Sequence, residues 1–169
     1  PREVIKQKEL SIETENEFSF EKALAGKDIS LICEVKNASP SKGIIAEDFP
    51  YVQIAEDYEN AGASAISVLT EPKWFKGENA FLEEISKNVS IPLLRKDFTV
   101  CEYQIYEAQT IGASAVLLIC SLLDTDTIRR WIKLCDSLGL SALVAAHTAD
   151  EVYSAIAAGA RVIGVNNRN

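Results

Sequence analysis

An α/β fold, with strand and helix alternating around a parallel sheet, is what this chain predicts, and two observations carry the prediction. The first is internal repetition. Gly62-Ala63-Ser64-Ala65-Ile66-Ser67-Val68-Leu69 returns as Gly112-Ala113-Ser114-Ala115-Val116-Leu117-Leu118-Ile119, and more loosely as Gly159-Ala160-Arg161-Val162-Ile163-Gly164-Val165-Asn166, at offsets of 50 and 47 residues. In each copy a helix-closing Gly runs straight into an apolar strand. Repetition at such a period marks one supersecondary unit used again and again. The second observation is a set of short apolar runs at 31–36, 65–70, 91–96, 115–121, 141–147 and 161–166. Each is bounded by turn or cap signals, as buried parallel strands are.

Helical patterns fill the gaps. Pro50 opens one helix at the tolerated first-turn position and Gly62 closes it, with Tyr51, Ile54, Ala55 and Tyr58 as its apolar stripe. A second runs from about Asn79 to Lys87. A third spans roughly 102–111, with Tyr103, Tyr106 and Ala108 before Gly112. Asp124 or Thr125 can cap the next, which carries Ile128, Trp131, Ile132 and Cys135 and ends before Gly139. Thr148-x-x-Glu151 is a capping-box pattern for the last. Strand–helix alternation without linkers predicts one domain over 1–169 with right-handed crossovers, preceded over 1–25 by a polar lead-in arm or helix.

An open doubly wound sheet and a closed barrel both fit this order. No G-x-G-x-x-G follows the first strand, and chemistry-bearing residues gather at several strand ends, which favours the barrel. An eight-stranded barrel takes ~200 residues or more, so 169 residues with six strand patterns correspond to six of eight βα units, the last two strands lacking.

Composition narrows the partners. A net charge of −8 argues against nucleic acid or an anionic membrane, yet a local cluster of Lys and Arg can still invert the field inside a cleft. No apolar run reaches the ~18 residues of a membrane span. The four cysteines lie far apart and two fall in strand patterns, which reads as reduced core thiols in a cytoplasmic protein. His147 is the only histidine, so a zinc site of several imidazoles is excluded. Open barrel edges would invite self-association.

Strand side chains alternate, so Glu34 and Lys36 share one face of the first strand while Cys33 and Val35 share the other. Opposite charges at a buried strand end are costly unless paired or used. A plain Glu–Lys ion pair is the bland reading. The loop Ser39-Pro40-Ser41-Lys42-Gly43 offers hydroxyls and backbone donors suited to a phosphate. Lys96 shares a face with Leu94 and Phe98. An ammonium among apolar neighbours has its pKa drawn toward the working range of a general acid. Asn166 and Arg168 share a face at the end of the sixth strand, where an amide and a guanidinium can orient a hydroxyl or an anion.

Cys33-Glu34-Val35-Lys36-Asn37-Ala38-Ser39-Pro40-Ser41-Lys42-Gly43, the run from Ala65 to Gly77, Leu94-Arg95-Lys96-Asp97-Phe98 and Gly164-Val165-Asn166-Asn167-Arg168 together resemble indole-3-glycerol phosphate synthases, in that family's order and spacing. The resemblance implies a TIM (β/α)8 barrel. It implies a carboxy-lyase of tryptophan biosynthesis that closes and decarboxylates 1-(2-carboxyphenylamino)-1-deoxyribulose 5-phosphate, an anionic small molecule, without metal or organic cofactor. By position, Lys96 would be the general acid and Lys36 would hold the leaving carboxylate. Glu34 would orient the lysines and take part in proton transfer. Ser39 would touch the phosphate, with Ser41 beside it. Phe75 and Phe98 would line the anthranilate pocket with Leu117 near the ring, and Asn166 and Arg168 would position the substrate.

At Ala145, between Val144 and Ala146, the family pattern has a glutamate, the candidate base for dehydration. Alternation puts Ala145 on the face of Leu143 and His147, and alanine moves no proton. His147 is expected to serve the loop rather than replace that base. The family's last two strands supply most of the phosphate cradle and another Glu. The expectation is therefore a chain of this family impaired in turnover, set against a non-catalytic sugar-phosphate-binding or scaffold barrel domain.

Overall fold

The computed structural model describes residues 17–39, 43–44 and 49–166, with Ser39 and Ile44 by backbone alone. Six strands form one parallel sheet: β1 (Ile32–Val35), β4 (Ala65–Leu69), β5 (Leu93–Lys96), β6 (Ala115–Ile119), β7 (Ser141–Ala146) and β8 (Val162–Val165). Each of these strands pairs with the next one in the chain. That is barrel order, whereas a doubly wound sheet would put its first strand in the interior. The sheet is a partial TIM barrel. Between β1 and β4, the two-residue strands β2 (Ala38–Ser39) and β3 (Gly43–Ile44) form a separate antiparallel pair that the sequence patterns did not reveal.

The helices are α1 (Ser19–Leu24), α2 (Tyr51–Asn60), α3 (Asn79–Ile85), α4 (Glu102–Thr110), α5 (Thr125–Ser137) and α6 (Ala149–Ala158). Gly62, Gly112 and Gly159 close α2, α4 and α6 at φ of 89°, 94° and 90°. Only glycine takes that left-handed turn at no steric cost, which is why the repeat begins on it. Asp124 caps α5 by accepting from the Thr127 amide. The Thr148 hydroxyl accepts from the Glu151 amide at 3.2 Å, but Glu151 reaches back to the amide of His147 at 2.6 Å, one residue earlier than a capping box predicts. Pro50 stands just outside α2 as its cap residue rather than inside its first turn.

Outward side chains of the sheet pack against the helices. Ile66, Val68, Val116, Leu118 and Val144 meet Ala55, Leu82, Ile105, Ile128 and Trp131 in the main core. Ile105 and Ala108 are the buried positions of α4, whereas Tyr103 is 60% exposed. At 100° per residue Tyr103 faces away from both. The four cysteines are unpaired. Cys135 is buried, and burial pushes its thiol up to about 12. Cys101, expected in the core, is exposed because it caps α4.

A smaller core lies on the sheet's inner face. Phe20 of α1 is fully buried among Ala65, Leu94 and Ala115, with Leu143 and Val162 against them. The two alanines leave room for the ring, so α1 stoppers the end where the strands begin. Arg161 fastens it there, with two hydrogen bonds to Glu21 (2.8 and 2.9 Å) and two to Asp136 (2.6 and 3.1 Å). Among the described residues the cavity on the inner face lies toward the ends where the strands finish. Of the lead-in predicted over 1–25, residues 1–16 lie outside the described residues. No helix of the described residues is long and apolar enough to cross a membrane.

Candidate functional site

Period-two alternation sends Glu34, Lys36, Lys96, Leu117, Leu143, Ala145, Gly164 and Asn166 to the inner face, and all eight line one cavity of about 830 Å³ at the strand C-terminal ends. Phe75 and Phe98 stand on its rim. A second concavity of about 550 Å³ lies where the strands begin, among Ser86, Ser90, Ser114 and Leu140. Its described lining holds no lysine or arginine, so charge complementary to an anion is found in the larger one.

The centre of the larger cavity is one carboxylate shared by two ammonium groups. Glu34 Oε1 accepts from Lys36 Nζ at 2.7 Å, and Oε2 accepts from Lys96 Nζ. Lys96 comes from β5 and reaches Glu34 across β4, whose inward residue level with Glu34 is the small Ser67. Lys96 shares the cavity with Phe98 and Leu117 and is also ion-paired with Glu34. Its side chain is 40% exposed. The trio carries a net single positive charge inside a protein of net charge −8.

Burial alone would raise the Glu34 carboxyl, but hydrogen bonds and charge from Lys36 and Lys96 outweigh it and hold the pKa below the ordinary 4.5. A carboxyl depressed in the folded state contributes stability above its unfolded pKa and loses it as pH falls through the folded value. Glu34→Gln is therefore expected to flatten the acid side of the stability profile, read as urea midpoints between about pH 7 and about pH 3. Parallel profiles for the two proteins would contradict this ion-pair account.

Sequence reasoning missed two residues that hold the rim. Arg95 shares the outward side with Leu93 and is 5% exposed. It donates to Thr70 Oγ1 (3.3 Å), the Gln104 carbonyl (2.9 Å), Asn79 Oδ1 (3.0 Å) and Glu107 Oε2 (2.7 Å). A charge on the buried face of a strand needs such partners, and that was the available signal. Glu71 is 7% exposed, and its carboxylate accepts from the amides of Lys73 (2.9 Å), Trp74 (2.7 Å) and Phe75 (3.1 Å). No periodicity announces a loop carboxylate of this kind.

Leu117 is buried on the cavity wall, and Phe98 is 42% exposed. The backbone N–H of Asn166 donates to the Ala146 carbonyl at 2.9 Å. Ala145 pairs in register with Ile119 and Gly164, so both flanking inward positions are apolar. His147 also lines the cavity, with Nδ1 3.8 Å from Glu151. Ser41 and Arg168 lie outside the described residues, as does the side chain of Ser39. Among the described residues no group of three or more His, Cys, Asp or Glu is placed to hold a metal.

Known proteins resemble the chain throughout. A family model described as indole-3-glycerol phosphate synthase matches residues 2–169. A protein of that name from Ruminiclostridium cellulolyticum is 58% identical over 165 residues, covering 98% of this chain and 64% of its own length. Its namesake from Endomicrobium trichonymphae is 52% identical over 164 residues, covering 97% and 64%. The one from Lachnoclostridium phytofermentans is 49% identical over 180 residues, covering 100% and 66%. The chain thus spans somewhat under two thirds of the length of these relatives.

Proposed function

Because the chain belongs to the indole-3-glycerol phosphate synthase family, we propose that its cavity serves the conversion of 1-(2-carboxyphenylamino)-1-deoxyribulose 5-phosphate to indole-3-glycerol phosphate. The observation that carries the proposal is the Glu34 carboxylate held between Lys36 and Lys96 inside a cavity rimmed by Phe75 and Phe98. Two ammonium groups beside aromatic surface suit a substrate with a ring, a carboxylate and a phosphate.

In this reading Lys96 gives a proton to the substrate carbonyl oxygen as the ring carbon that bears the carboxylate attacks the carbonyl carbon. Lys36 holds that carboxylate until its carbon–carbon bond breaks and carbon dioxide leaves. Loss of the new hydroxyl as water, with removal of a ring proton, then makes the indole. Glu34 orients both ammonium groups, and the proton removed from the ring in that last step returns to Lys96 by way of the Glu34 carboxylate. Ser39, Ser41, Asn166 and Arg168 complete the proposal as contacts to the phosphate and hydroxyls. Unpaired cysteines are in keeping with a cytoplasmic setting. The outer strands β1 and β8, which lack further partners among the described residues, are where self-association would occur.

Binding tests this directly. Affinity for a reduced, unreactive substrate analogue is expected to fall as ionic strength rises toward 1 M, where the screening length shrinks to about 3 Å. Affinity that ignores salt would overturn the electrostatic reading. Ala145 favours a second reading, a barrel domain that binds the sugar phosphate without converting it, because no proton-transfer side chain stands at that strand position. Analogue binding without any indole product in a single-turnover assay would select it.

A further inference from the structure

Glu71 does more in the described structure than cap a turn. The loop it belongs to leaves β4 at Thr70, whose hydroxyl donates to Asp97 at 2.7 Å, and closes at Gly77, whose amide donates to the Glu71 carbonyl at 2.9 Å. A Cβ on Gly77 would lie 2.3 Å from the Leu69 carbonyl oxygen, so the loop folds back hard against the end of β4. Within it, both oxygens of the Glu71 carboxylate are filled by three consecutive backbone amides, the last being that of Phe75. Converging amides around one anion form a rigid nest, since every donor has a partner and none is left to water.

The nest is also tied to the strand end that carries Lys36. The Ala38 amide donates to the Phe75 carbonyl at 3.1 Å, and Asn37 Nδ2 donates to the Lys76 carbonyl at 3.3 Å. Asn37 and Ala38 directly follow Lys36. The aromatic ring of one loop and the ammonium group of another are therefore held at a set spacing by a carboxylate that touches neither. We infer that Glu71 is a positioning residue that fixes Phe75 relative to Lys36, so that the cavity accepts a ligand whose aromatic ring bears its carboxylate directly. This rests on the function proposed above for the same cavity.

Glu71→Gln keeps the size of the side chain but turns one acceptor into an NH2 group facing backbone donors, which breaks the nest. Asn37→Ala removes only the link to the Lys76 carbonyl. Trp74 lies in the loop at 53% exposure, whereas Trp131 is 5% exposed in the core, so fast depolarisation of tryptophan fluorescence reports loop motion. The expected result is a larger nanosecond anisotropy decay in Glu71→Gln and a smaller increase in Asn37→Ala. Affinity for 2-aminobenzoate should fall about tenfold in Glu71→Gln while that for inorganic phosphate stays within about twofold.

A looser loop with unchanged 2-aminobenzoate affinity overturns the inference. Weaker binding without a looser loop overturns it as well, because Glu71 would then act by direct contact. If Glu71→Gln loses its cooperative unfolding transition, Asn37→Ala decides by the same two readouts. Should the unaltered chain bind neither probe, the proposed function falls, and the anisotropy alone decides whether Glu71 orders the loop.

Discussion

Ala145→Glu is expected to raise indole-3-glycerol phosphate formation at least about a hundredfold, since a general acid or base contributes ~10²–10⁴-fold. The reaction needs one group to give a proton at the carbonyl and another to take one as the indole forms. In the proposed reaction Lys96 serves the first, and at Ala145 the inward face of β7 holds only a methyl group. A glutamate there has room, because its inward neighbours are Ile119 and the side-chain-free Gly164, and the cavity lies directly above. The measurement is indole fluorescence in a chain carried to the relatives' full length, beside the same protein with Ala145. If the glutamate variant stays at the alanine rate while Lys36 and Lys96 keep their places, the role given to position 145 is wrong.

In that glutamate background, Lys96→Met should remove ~10²–10⁴-fold of kcat/KM, or about 3–5 kcal/mol of barrier. Methionine keeps the apolar stem of lysine and takes away the proton and the charge. Stability should change little, because a half-exposed ion pair contributes only about 0–1 kcal/mol. Retained turnover with an unchanged melting curve would remove Lys96 from the chemistry and leave it as Glu34's ion-pair partner.

Much of this architecture was legible in the chain. The six strands fall within a residue or two of the apolar runs, and Gly62, Gly112 and Gly159 mark the seams where left-handed turns join helix to strand. The buried stripe of α5 at Ile128, Trp131, Ile132 and Cys135 follows from helical period alone. Cys101 belongs by residue type in the core, and its place as the cap residue of the 102–110 helix leaves it exposed. The β2–β3 pair is two residues per strand, too short for any period to register.

For the site, alternation within strands already determined that Glu34 and Lys36 share a face, that Lys96 and Ala145 point inward, and that all of them sit at strand ends. Those are properties of the chain, since period two is fixed by backbone geometry. Three things only the tertiary structure decided: that Glu34 divides its two oxygens between lysines at the ends of β1 and β5, that Arg95 is buried among four hydrogen-bond partners, and that the Glu71 carboxylate accepts from three amides of the Phe75 loop. Each joins groups through distance and direction across the curl of the sheet or the closure of a loop. A pattern of residue types carries neither, because a carboxylate has no period and finds its donors only once the backbone has brought them within about 3 Å.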